Sequence, residues 1–156
     1  MKIKNIKGFY HFGIAVHDID EVKNLFINVL NLELVQEREI KGPYVDSLVG
    51  SVNSSALVNF FRISNEEFIE TLYWDGGRSH SESSFKSSIK NVGTTHICLY
   101  VEDIEEMYAK IKNFNNDCLV SNSIIDISTG PNQGSRVFFA KFFSYLFIEF
   151  FQRHNS

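Results

Sequence analysis

Two histidines and two glutamates stand out because each pair occupies the same place in a repeated pattern. His11 opens the stretch His11-Phe12-Gly13-Ile14-Ala15-Val16-His17-Asp18-Ile19-Asp20-Glu21. Without a gap, His96 opens His96-Ile97-Cys98-Leu99-Tyr100-Val101-Glu102-Asp103-Ile104-Glu105-Glu106. Further along each copy comes the tripeptide Phe-Ile-Glu, ending at Glu70 in the first and at Glu149 in the second. A carboxylate among Phe, Ile and Leu is expensive to bury unless it is paired or bound to a cation. Two such glutamates at equivalent positions ask for one explanation. If the two copies pair about a pseudo-twofold axis, His11, Glu70, His96 and Glu149 form an N2O2 site for one divalent metal ion. With no thiolate in the set, Zn, Ni, Co, Mn and Fe(II) all remain open. Four protein ligands complete a tetrahedron, so catalysis would need five- or six-coordination with one or two exchangeable positions.

Single residues would not support this reading. A lone histidine on an apolar strand is more often a core residue, and Glu70 alone would pass for a solvated edge-strand carboxylate. The repeat sets them apart. His17, His80 and His154 read as surface residues. Cys98 shares strand parity with His96 and so could face the site, though a small buried hydrophobe is the commoner role for such a cysteine.

The elements that must position these residues follow from the same repeat. Ile14 and Val16, like Leu99 and Val101, suit a strand. Asp18 and Asp103 then stand at helix N-caps, with Glu21 and Glu106 three residues later as in a capping box. Val22, Leu25, Phe26 and Val29 continue at helical spacing, as do Ile104, Met107 and Ile111. Each copy closes with a hairpin: Asn59–Ile63 with Phe68–Trp74, and Arg136–Ala140 with Phe147–Gln152. A further strand is expected before each hairpin, over Glu33–Ile40 and Cys118–Ile127, the charges from Glu33 to Glu39 forming a solvated face. Gly42-Pro43 and Gly130-Pro131 mark loops, and the tail from Arg153 is expected to fray. The chain thus reads as one α+β domain, residues 1–156, of two βαβββ modules. Module 1 spans about 8–74 and module 2 about 92–152, joined by a Gly/Ser-rich linker at about 75–91.

Composition excludes other classes. A net charge of −4 without a clustered basic face argues against nucleic acid. No apolar run reaches the length of a membrane span, and the N-terminus leads into no long apolar stretch, so neither a membrane segment nor a signal peptide is expected. Cys98 and Cys118 form neither a CxxC pair nor a disulfide framework, which suits a reducing, cytoplasmic setting. Fifteen phenylalanines suit a Phe-packed core, with some left to line an apolar pocket.

At these residues the chain resembles the vicinal oxygen chelate superfamily, the group of glyoxalases, epimerases, extradiol dioxygenases and bleomycin-resistance proteins. The two β-start histidines, the two Phe-Ile-Glu strands, Tyr44-Val45-Asp46-Ser47-Leu48-Val49-Gly50 and Gly130-Pro131-Asn132-Gln133-Gly134 carry the likeness, which spans Tyr10 to Gln152. It implies two βαβββ modules paired into a half-open mixed β-barrel with helices outside, one divalent metal, and a homodimer. The four-ligand set favours the lyase and epimerase branch. Ala15 stands where glutathione-using glyoxalases tend to carry arginine. Glu70 stands where methylmalonyl-CoA epimerases usually carry glutamine. The last hairpin turn, Phe142-Phe143-Ser144-Tyr145, contains no good turn residue.

The expected activity is that of a metal-dependent lyase or isomerase acting on a small carbonyl compound through an enediolate, with Glu149 or Glu70 moving the proton. A carboxylate bound to a dication is a weak base, so the glutamate that moves the proton should detach from the metal. Two alternatives come from other classes. One is a bleomycin-resistance-type protein that sequesters a small molecule in a groove lined by Phe60, Phe61, Tyr73, Trp74 and Phe151. The other is an Fe(II) extradiol dioxygenase using His11, His96 and Glu149.

Overall fold

The computed structural model describes residues 8–77 and 88–154, so most of the expected linker, His80 included, lies outside the described residues. The chain divides into two compact units, Met1–Ser81 and Glu82–Ser156. Both are α+β, and each is built on one open, four-stranded mixed sheet.

In the first unit the strands are β1 (His11–Ala15), β2 (Glu33–Lys41), β3 (Ser55–Arg62) and β4 (Phe68–Trp74), in the order β1-β4-β3-β2. β1 runs parallel to β4 and the other pairs are antiparallel. The interior strand β3 is covered on both faces and reads as an almost unbroken apolar run. The edge strand β2 is charged and exposed, which blunts it against adding a further strand. Its glutamates are paired: Glu37 with Lys23, Glu39 with Lys41 and Glu33 with Arg62.

Helix α1 (Ile19–Lys23) begins where the repeat placed it. Asp18 accepts hydrogen bonds from the Asp20 and Glu21 backbone N–H groups at 3.0 and 2.9 Å, satisfying donors that a helix start leaves open. A π-helical stretch, Asn24–Val29, continues it. Phe26 there meets Phe61 of β3 edge to face at 4.9 Å. Both rings are fully buried, each stabilising the unit by roughly 2–3 kcal/mol.

A second helix, α2 (Pro43–Val49), occupies what the sequence suggests is a loop. Proline at the first turn and left-handed Gly50 (φ 67°) at the C-cap are the ordinary helix start and stop. Asp46 on this helix accepts from the Ser54 N–H at 2.7 Å, tying it to the start of β3.

The second unit repeats the plan with β5 (His96–Tyr100), α3 (Ile104–Phe114), β6 (Ile125–Asp126), β7 (Arg136–Phe142) and β8 (Leu146–Gln152), in sheet order β5-β8-β7-β6. Asp103 caps α3 through the Glu106 N–H at 2.9 Å, and Tyr108 of α3 packs on Phe138 at 5.1 Å. Here the strand expected over Cys118–Ile127 is mostly absent. Asn116–Cys118 is a 3-10 turn, Leu119 makes a single antiparallel bridge with Ala140, and Ile125–Asp126 pairs with β7. The Asn115 side chain caps that turn. The Ser121 hydroxyl takes the Phe139 N–H at 2.9 Å, so side chains meet hydrogen bonds that a strand would supply.

The last hairpin turn forms without a glycine, and one smaller expectation is corrected. The turn Phe142–Tyr145 closes with Tyr145 N–H donating to Phe142 O at 3.2 Å, and it holds Phe143 and Ser144 at φ 52° and 63°, left-handed without glycine. Arg153 and His154 are not frayed: Arg153 donates to the Tyr100 hydroxyl, and the His154 N–H donates to the Ser135 hydroxyl.

Candidate metal centre

Parallel pairing of the first and last strands creates the same small site in each unit. In the first, His11 lies opposite Phe68 and Gly13 opposite Glu70, so the imidazole and the carboxylate project from one face of adjacent strands. His11 Nε2 stands 3.3 Å from Glu70 Oε2. In the second, His96 lies opposite Phe147 and Cys98 opposite Glu149, and His96 Nε2 stands 3.1 Å from Glu149 Oε2. The two glutamates expose only 17% and 20% of their side chains, the histidines 33% and 42%. Carboxylates sunk in the sheet face, with imidazoles reaching outward, are an orientation that apolar neighbours enforce.

Those neighbours also repeat. Phe60 pairs with Glu70 across β3–β4, and its ring meets His11 at 5.5 Å. Phe139 pairs with Glu149 across β7–β8, and its ring meets His96 at 5.4 Å. Tyr10 adds an edge contact to His11 at 5.1 Å. His11 Nδ1 is buried and has no hydrogen-bond partner, so Nε2 is the nitrogen left for chemistry, facing Glu70.

The copies differ at one position. Beside Glu70 stands Gly13, where an added Cβ would come 3.2 Å from Glu70 Oε2. Beside Glu149 stands Cys98, whose thiol is pushed up to about 11. Burial is the larger cause, followed by the Glu149 charge and a hydrogen bond to that carboxylate. Cys98 is exposed as a residue while its sulfur rests against Glu149, so it is not the small buried hydrophobe that its neighbours suggest. Strand parity with His96 is the sequence signal that places it here.

The aromatic groove of the binding-protein alternative is not one surface. Phe61 is fully buried against Phe26 on the helix-side face, whereas Phe60 lies on the face that carries Glu70.

The sequence matches the model of the glyoxalase/bleomycin resistance protein/dioxygenase superfamily over residues 10–124. The chain belongs to that superfamily. No curated protein matches it. Among solved structures, a glyoxalase family protein from Bacillus cereus superposes with a TM-score of 0.79 at 14% identity, covering 98% of each chain. The trypanothione-dependent glyoxalase I of Leishmania major gives 0.60 at 17% identity, covering 94% of this chain and 87% of that one. The genomically encoded fosfomycin resistance protein FosX of Listeria monocytogenes gives 0.59 at 16% identity, covering 94% and 93%. At these identities the likeness establishes the glyoxalase-like fold.

The donor set of this superfamily member can be tested against a metal directly. Two ligands of one ion, each bound at about 2.1 Å and subtending 90° to 109°, stand roughly 3.0–3.4 Å apart. Both Nε2–Oε2 separations, 3.3 and 3.1 Å, fall in that interval. Each unit therefore presents one nitrogen and one oxygen donor at a spacing that suits two ligands of one ion and equally a direct imidazole–carboxylate contact. Among the described residues, no three His, Cys, Asp or Glu side chains gather to hold one. The structure brings His11 to Glu70 and His96 to Glu149.

Proposed function

We propose that the chain is a metal-dependent lyase or isomerase acting on a small carbonyl compound, with His11, Glu70, His96 and Glu149 as ligands of one divalent ion. The observation that carries the reading is the duplicated contact between a histidine Nε2 and a mostly buried glutamate Oε2 at equivalent strand positions. When bound, a divalent ion supplies Lewis-acid stabilisation of an enediolate. The protein's part is to hold the substrate's α-carbon within reach of a carboxylate oxygen. Glu149 or Glu70, with its carboxylate released from the ion, takes the α-proton and returns it to the same or the adjacent carbon, so no other reactant is consumed. Phe60 and Phe139, packed on the two imidazoles, keep water from the histidines' inner side and fix their orientation. A homodimer in the cytoplasm belongs to the same reading, supported by superfamily membership and by the absence, among the described residues, of any helix long and apolar enough to cross a membrane.

The test is exchange of α-protons for deuterium, followed by NMR, on a panel of 2-oxo and 2-hydroxy carbonyl compounds. The wild type should exchange at least one of them. Glu70→Gln and Glu149→Gln should differ, the base variant losing exchange by about a hundredfold or more. If both variants retain full exchange, neither glutamate is the base and the reading fails.

A further inference from the structure

The face that carries His96 and Glu149 does not end at those residues. Tyr100 is the last residue of β5 and shares strand parity with His96 and Cys98, opposite Phe151 of β8. It lies roughly 7 Å beyond Cys98 along the strand. A cavity of about 480 Å³ opens there, lined by Tyr100, Val101, Glu102 and Arg153, within the size range of small-molecule sites. Tyr100 is 67% exposed, a large aromatic surface at a cavity rather than in the core.

Arg153 is aimed at this place. Its Nη2 donates to the Tyr100 hydroxyl at 2.6 Å, and its guanidinium carbon lies 4.6 Å from the centre of the Tyr100 ring. Tyr100 in turn is braced edge-on by Phe151 at 5.7 Å. The Val101 N–H donates to Phe151 O at 3.0 Å, and the Gln152 side chain donates to Glu102 O, so the cavity wall that follows the tyrosine is fixed to β8. A guanidinium stacked on a ring loses little freedom when it takes an anion, and its fork matches a carboxylate. Glu102 supplies the opposite sign at the same cavity. It disfavours a doubly charged phosphate more than a singly charged carboxylate.

We infer that the Tyr100–Arg153 cavity is an anchoring subsite for a monocarboxylate with a flat, apolar body. As a statement about substrate this rests on the function proposed above, because it places the carboxylate at Arg153 and the reacting carbon near Glu149. Arg153, just past the end of β8, follows Glu149 by four positions, a backbone span of roughly 13 Å. The anionic group and the reacting carbonyl therefore belong to opposite ends of the ligand, not to adjacent carbons.

The test is an NMR titration of the full chain in the presence of EDTA, following the Arg153 Nε–H signal, assigned by its loss in Arg153→Gln. The probes are 3-phenylpropanoate, its neutral isostere 3-phenylpropanamide, and phenyl phosphate. The carboxylate should shift the Arg153 signal saturably. Arg153→Gln, read on the backbone signals of Tyr100 and Val101, should weaken it at least tenfold, and the amide should bind the wild type as poorly. Glu102→Gln should tighten phenyl phosphate several-fold. Equal binding of carboxylate and amide, an unchanged affinity in Arg153→Gln, or no shift at millimolar 3-phenylpropanoate would each overturn the subsite. Because the titration is run without metal, its failure says nothing against the metal centre, and failure of the metal centre would not alter its outcome.

Discussion

Gly13 offers a test in which stability and metal binding should move in opposite directions. A Cβ at this position would sit 3.2 Å from Glu70 Oε2 and 3.8 Å from the Leu72 side chain. The first contact is tight, so in Gly13→Ala the carboxylate must give way by a few tenths of an ångström. Metal–ligand distances are held within about 0.2 Å. A displacement of that order should weaken metal affinity by about tenfold, ~1.4 kcal/mol, and Gly13→Val should weaken it further. The strand itself favours the substitution, since replacing a mid-strand glycine removes about 0.5–1 kcal/mol of backbone entropy loss. The assay is competition with a chromophoric chelator for affinity, and urea unfolding in EDTA for stability. Metal-free Gly13→Ala should be as stable as the wild type or slightly more so, yet bind metal about tenfold less tightly. Wild-type affinity in both Gly13→Ala and Gly13→Val would show that Glu70 Oε2 is not a ligand.

Thr71 is fully buried on the opposite face of β4 with its hydroxyl unpartnered, whereas the equivalent Phe150 of the second unit stacks on Phe138. Thr71→Val should therefore stabilise the protein by about 1 kcal/mol, raising Tm by roughly 2–4 °C in a thermal melt. A lowered Tm would show that the hydroxyl is used. Cys98, raised from 9.0 to about 11, should alkylate slowly with iodoacetamide in metal-free protein at pH 8 and speed up as pH climbs towards 11. Its contribution to stability runs the same way, present below pH 9 and lost as pH rises through about 11. Glu149→Gln removes the Glu149 charge and should bring the alkylation profile towards lower pH. A profile that does not move would mean that burial alone sets it.

The repeat was legible because duplication left the same residue types under the same constraints. Asp18 and Asp103 cap their helices, His11 and His96 open their strands, and Glu70 and Glu149 lie two residues further along their pairings. Divergence hid the rest. The helix at Pro43–Val49 is short, and its Gly-Pro start equally marks a turn. Tyr44 and Leu48 stay exposed, so no apolar stripe betrays it. The strand before the second hairpin is cut to a bridge at Leu119 and the pair Ile125–Asp126, with the Ser121 hydroxyl taking the Phe139 N–H between them, and the apolar residues around them still read as a strand. The docking of Arg153 was illegible for a different reason. Its partner, Tyr100, is fifty-three positions away, and only the sheet brings them together.

The central claim is that the two His–Glu pairs serve a metal. Metal content by mass spectrometry on tag-free protein, wild type against His11→Ala combined with Glu149→Ala, tests it most directly, with circular dichroism confirming that the variant is folded. The account predicts close to one divalent ion per chain in the wild type and loss of it in the folded variant. No metal in either, even after incubation with Ni, Co, Zn, Mn and Fe(II), would contradict it and leave the pairs as plain imidazole–carboxylate contacts.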